Sequence, residues 1–178
     1  MQHVNIKLFA EPPYLEDLAS VIPVFHRWIQ EMSLPGTLID VADYAHVPKG
    51  PGVFLIAHEY HLSLDQTGGR LGLLFNRRVG WDGSGVDALR SAFEFVSSAA
   101  RKLEQEPELS GKLKFGSSEL EIILNDRLLY PNTDSTFDAI ADDLNAFLGE
   151  VFGPGAYTAS RAYADPRARF AVHAIKKA

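Results

Sequence analysis

The chain has 178 residues, enough for one domain with a core of its own. Apolar residues make up 46% and charged residues 22%, the balance of a folded globular protein, which sets disorder aside. There is no cysteine, which excludes disulfides, thiolate metal sites, iron–sulfur clusters and a cysteine nucleophile, and the net charge of −6 argues against a nucleic-acid partner.

Residues 4–10 alternate as a first strand, and Pro12-Pro13 ends it. A helix is expected over about 14–32, with Leu15, Leu18, Ile22, Phe25 and Ile29 at helical spacing. Pro23 falls inside it, so the helix either kinks there or is two shorter helices. Pro35-Gly36 marks a turn, 38–44 a second strand, and 46–52 a stiff loop with Pro48, Gly50, Pro51 and Gly52. Residues 53–78 read as one long hairpin around Thr67-Gly68-Gly69-Arg70. After the loop 80–85, Ser84 with Asp87 resembles a capping box, and Val86, Leu89, Phe93, Val96, Ala100 and Leu103 form an amphipathic stripe that ends near Pro107. Segments 119–124 and 127–130 suggest a second hairpin about Asn125-Asp126. Asp134 or Ser135 is placed to cap a third helix carrying Phe137, Ile140, Leu144, Phe147, Leu148 and Val151. Two last strands, 157–164 and 168–175, flank Asp165-Pro166.

This order predicts an α+β fold in a single domain, 1–178. The expected architecture is one mixed, mainly antiparallel sheet of about seven to eight strands, with three helices mostly on one face.

The long hairpin carries most of the chemistry. Alternation puts Phe54, Ile56, His58, Tyr60, Leu62 and Leu64 on one face. The other face receives Glu59, His61, Ser63 and Asp65. With the glycines at the tip, Ser63 faces Leu74, His61 faces Asn76 and Glu59 faces Arg78. The candidate ligand-binding residues are therefore Glu59, His61, Ser63, Asn76 and Arg78, with Trp81 as a lip. A carboxylate, an imidazole, a hydroxyl and a guanidinium on one rigid face suit a small polar or anionic ligand. Their bland role is the wet side of a sheet.

Complete catalytic signatures are missing. His58-Glu59-Tyr60-His61 is not the zinc-protease HExxH pattern, and a regular strand sends the two histidines to opposite faces. Asp40, Asp43 and His46 are the remaining metal-ligand candidates near Glu59 and His61. Gly83-Ser84-Gly85 is a helix cap, and the loop 80–85 lacks the end of a phosphate-binding P-loop. No metal or cofactor is implied.

From Arg161 onward five basic residues stand against one acid, Asp165. This basic tail is a candidate to dock on Asp134, Asp138 and Asp142, within one chain or across a homodimer. No apolar run is long enough to cross a membrane, and no secretory signal is visible at Met1-Gln2-His3. The expectation is a soluble cytoplasmic binding or interaction module of bacterial style, without membrane partner. The rival is a hydrolytic enzyme, possibly metal-assisted, using the polar side of the hairpin.

Overall fold

The computed structural model describes residues 1–177. Eight strands form one sheet: β1 (Val4–Glu11), β2 (Leu38–Tyr44), β3 (Gly52–Ala57), β4 (Tyr60–Asp65), β5 (Gly72–Arg77), β6 (Lys114–Leu124), β7 (Tyr157–Arg161) and β8 (Phe170–Lys176). Their order across the sheet is β2-β3-β4-β5-β1-β6-β8-β7. Every neighbouring pair is antiparallel. The helices are α1 (Ile22–Gln30), α2 (Gly85–Glu104), α3 (Asp134–Ala139) and α4 (Ala141–Phe152). The α+β class and the single sheet are as expected.

One face of the sheet holds the core. Val4, Ile6 and Leu8 of β1 lie beside Phe75 and Leu73 of β5 and beside Leu124, Ile122 and Leu120 of β6. These join Phe25 and Trp28 of α1, Leu89 and Val96 of α2, and Leu144 and Phe147 of α4 in one apolar cluster. The opposite face has no helix in its own small cluster, which is Leu74, Ile123 and Ala171 with Ala162 packed on them. Side chains that alternate away from the core thus define a second, open face.

Several local expectations change. The region 14–32 is two pieces: a 3-10 turn over Leu18–Val21, capped by Asp17, and then α1, with Pro23 in its first turn where no N–H is needed. The long hairpin is two hairpins, because His58 and Glu59 form a tight turn between β3 and β4. Residues 127–130 are a turn, not a strand: Asp126 Oδ1 accepts from the N–H groups of Leu128 and Leu129, both at 3.0 Å. The extra strand and the missing one cancel, so the number of strands stays at eight. The third helix breaks at Ile140, and Thr133 caps it, in place of Asp134 or Ser135. The Ser84 cap forms as expected, accepting from the Asp87 N–H at 3.1 Å and donating to the Asp87 carboxylate at 2.6 Å.

The basic tail is no appendage. Residues 170–176 are β8, inserted between β6 and β7. Of the expected pairing with the acidic stripe, Arg161 Nε donates to Asp134 Oδ1 at 2.8 Å.

Candidate functional site

The register of β4, β5 and β1 builds the site. His61 faces Asn76, and Ser63 faces Leu74. On its other side Asn76 faces Asn5, which in turn faces Ile123. His61, Asn76 and Asn5 therefore form a polar row across three adjacent strands of the open face. Directly opposite residues in such a row have Cβ atoms about 4.5–5.5 Å apart. Asn5 is 0% exposed, and neither atom of its amide has a hydrogen-bond partner among the described residues. An unpaired buried amide costs about 1–3 kcal/mol, so the core of this row carries a deliberate polar cost.

At the strand ends the row opens into a hollow of about 580 Å3 lined by His3, His61, Asn76, Arg77, Arg78, Asn125, Asp126 and Arg127. The chain closes this end: the Asn125 N–H donates to the His3 carbonyl at 3.2 Å, and the Arg78 N–H to the Glu59 carbonyl at 3.0 Å. The hollow is cationic. Its single carboxylate, Asp126, is already engaged by the two leucine N–H groups.

The arginines show how selective this is. The chain has ten. Arg27, Arg70, Arg90, Arg161 and Arg167 each hold an acidic partner. Of the five without an ion pair among the described residues, Arg77, Arg78 and Arg127 line this one hollow, Arg77 from a position whose side chain turns to the helix side of the sheet. Arg77 stacks on the Trp81 ring with 4.5 Å to the centroid and donates to Ser91 Oγ at 3.2 Å. Its Nε is buried without a partner, and burial lowers its pKa. Burial, helped by the Arg78 charge, also lowers the pKa of His61, which favours the neutral ring.

The expected site residues are thus only partly assembled. His61 and Asn76 share the row and the hollow with Arg78. Ser63 is on the same face and is buried, one step further in. Glu59 leaves the group: its carboxylate accepts the Thr37 N–H at 3.0 Å, a bond that lowers its pKa. Trp81 serves as a platform for Arg77 and is partly packed into the core, with its backbone N–H donating to Gln2 Oε1 at 2.9 Å. The face assignment of β3 is reversed. Phe54 and Ile56 lie on the open face opposite Ser63 and His61, whereas Leu62 and Leu64 are in the core. His58, placed on the apolar face by alternation, sits at the turn with its side chain 72% exposed. Asp43 accepts the Ala45 N–H, and the described residues contain no cluster of three or more metal-ligating side chains.

A second polar group on this face was not anticipated. Lys7, Glu121 and His173 stand side by side on β1, β6 and β8. Lys7 and Asp65 form a buried pair at 2.5 Å, with residue exposures of 3% and 2%. Glu119 is held by both terminal nitrogens of Arg70, at 2.5 and 2.7 Å, and also meets His173 Nε2. The Tyr163 hydroxyl donates to Glu121. The one trace in the sequence was the presence of Asn5 and Lys7 within the apolar run 4–10.

Comparison of the chain with protein-family models, with curated protein sequences and with solved structures gave no match.

Proposed function

We propose that this protein is a binding module for a small anionic molecule, acting in the cytoplasm and taking its ligand in the hollow at the end of the open sheet face. The observation that carries this reading is the placing of Arg78 and Arg127, without acidic partners, beside one concavity of a chain whose net charge is −6, while the Arg77 guanidinium turns to Trp81 and Ser91 on the helix side. Guanidinium groups present several fixed donors and suit phosphate or carboxylate oxygens. Asn76 and Asn125 add neutral amide donors, and His61 and His3 add imidazoles. An anion would also draw a proton onto His61, whose neutral form burial and the Arg78 charge favour.

The hollow offers no free carboxylate to act as a base or nucleophile. Its one carboxylate holds a turn, and Glu59 and Asp43, carboxylates that a hydrolytic reading could use, bond to backbone N–H groups elsewhere. Binding without chemistry is therefore the better reading of this geometry.

The test is titration of the isotope-labelled protein with inorganic phosphate and sulfate, followed by amide chemical shifts. Shifts are expected at residues 3, 76–78 and 125–127, weakening as salt is added. The double variant Arg78→Ala/Arg127→Ala should bind at least about tenfold more weakly, the equivalent of about 1.4 kcal/mol. Absence of localised shifts, or shifts that survive the double variant, would remove the proposal.

A further inference from the structure

His61 belongs to two groups at once. It lines the hollow, and its ring also meets that of Phe54 on β3, with centroids 5.9 Å apart and planes crossing at 80°. Phe54 in turn meets Tyr44 of β2, again at 5.9 Å and at 87°. Three aromatic rings therefore run in contact from the hollow to the sheet edge, across β4, β3 and β2. Ile56 stands directly opposite His61 and widens this strip. Alternation fixes its side: Val53, Leu55 and Ala57 enter the core, so Phe54 and Ile56 face away from it. In the middle of the same face Asn5, Lys7, Ser63 and Asp65 are buried. The strip is not: Phe54, Ile56 and His61 are partly exposed, and Tyr44 is exposed. The charges around it have a direction. Arg78 and Arg127, without acidic partners, lie at the hollow, and at the far side Asp40 stands opposite Ile56. A molecule laid along this line meets cations first, then aromatic rings, then a carboxylate.

We infer that the ligand of the hollow is an aromatic anion: a phosphate or carboxylate head seated on Arg78 and Arg127, joined to a flat ring that packs on Phe54 and Ile56 beside His61. This rests on the anion reading of the hollow and narrows it. The head alone, as in inorganic phosphate, satisfies the arginines and leaves the strip in water. Aromatic pairs hold at centroid distances of about 4.5–7 Å, edge to face or offset. Phe54 already keeps His61 and Tyr44 within that range, and a ligand ring joins the same packing. A saturated ring of equal size covers similar area but lacks the charge distribution of a π face, so it gains less. Asp40 adds a constraint: a second anionic group at the ring end would meet a like charge, so the charge of the ligand is confined to its head.

The experiment is calorimetric titration with inorganic phosphate, methyl phosphate, benzyl phosphate and cyclohexylmethyl phosphate. The last two match in head, spacer and ring size and differ only in the flatness and π character of the ring. The natural chain is expected to bind benzyl phosphate more tightly than methyl phosphate, and roughly twofold to tenfold more tightly than cyclohexylmethyl phosphate. The variant Phe54→Leu keeps an apolar side chain at a partly exposed strand position. It should bind inorganic phosphate as the natural chain does and lose the preference for the aromatic ring. Nuclear Overhauser contacts in the natural chain give a second readout that needs no variant: the benzyl protons should contact the rings of Phe54 and His61. Equal affinity for the two ringed phosphates in the natural chain, a preference that persists in Phe54→Leu, or contacts of the benzyl ring to another part of the surface each overturn the inference. If phosphate binds and the ringed phosphates gain nothing, only the aromatic ligand is wrong. If phosphate and all three esters fail to bind, the anion reading itself has failed.

Discussion

Glu121 sets the open face apart from an ordinary wet sheet surface. It stands between Lys7 and His173, and burial raises its carboxyl pKa despite the opposing pull of Lys7 and the Tyr163 hydroxyl. The unfolded chain returns it to an ordinary value near 4.5. Between that value and the raised one the folded state binds more protons, so folding stability falls as pH rises through this window. Below the window both states are protonated and the cost vanishes. Glu121→Gln removes the titration while keeping an acceptor for Tyr163. Its urea midpoint should exceed that of the natural chain at pH 7, and the gap should close toward pH 4. A variant less stable than the natural chain at pH 7 would mean that the basic neighbours outweigh burial and that folding lowers the Glu121 pKa. Nothing in the sequence marked this residue, because its environment is made by Tyr163 arriving from the loop after β7. His61 and Asn76 were legible: strict alternation within 60–65 and 71–77 fixed their faces, and a one-residue slip would have buried them in the core.

At the scale of elements, Lys7 and Asp65 tie the β4–β5 turn to the central strand. Lys7 Nζ donates to Asp65 and also to the carbonyls of Thr67 and Arg70, at 3.3 and 2.7 Å. Asp65 accepts the Thr67 N–H at 3.1 Å and its hydroxyl at 2.7 Å. Lys7→Met leaves a buried carboxylate without its countercharge and two carbonyls without their donor, and should cost about 3–5 kcal/mol in guanidinium unfolding. Adding Asp65→Asn should recover a large part of that loss. A single variant costing under about 1 kcal/mol would show that water reaches the pair. The turn itself was legible, since Gly68 and Gly69 adopt φ of 76° and 78°, a region that favours glycine. The turn at His58-Glu59 was not. It contains neither glycine, proline nor asparagine, and the apolar run from Val53 continues to its edge, so period-2 reading passed straight through and inverted β3. The register of β4 with β5 was untouched, which is why part of the site survived while Glu59 was lost. His3, Arg77 and Arg127 needed a different fact, that β1 inserts between β5 and β6. Local pattern does not encode which distant strand becomes a neighbour.

The whole molecule depends on that insertion at both ends of the chain. β1 is the central partner of β5 and β6, and β8 lies between β6 and β7, so the last strand in sequence is interior in space. Charge alone made 161–177 resemble a basic tail, because its basic residues are plain and five of its nine apolar residues are alanine. Yet Phe170, Val172 and Ala174 are core residues, and Ala171 belongs to the small cluster on the open face. Ending the chain after Ala164 removes the strand that hydrogen-bonds β6 from Glu119 to Leu124 and leaves β7 with no partner in the sheet. It also strips cover from Ile122 and Leu124, both core residues. Each large apolar side chain uncovered forgoes about 1.5–3 kcal/mol, and losing several exceeds the 5–15 kcal/mol margin of an ordinary domain. The truncated chain should therefore lose its cooperative thermal transition and near-ultraviolet circular dichroism, whatever the salt concentration. A docked tail would behave differently: its removal would leave the transition sharp, and high salt would reproduce the effect of truncation in the full chain. A retained, salt-insensitive transition in the truncated protein would contradict the interior position of β8 and, with it, the face on which the hollow is built.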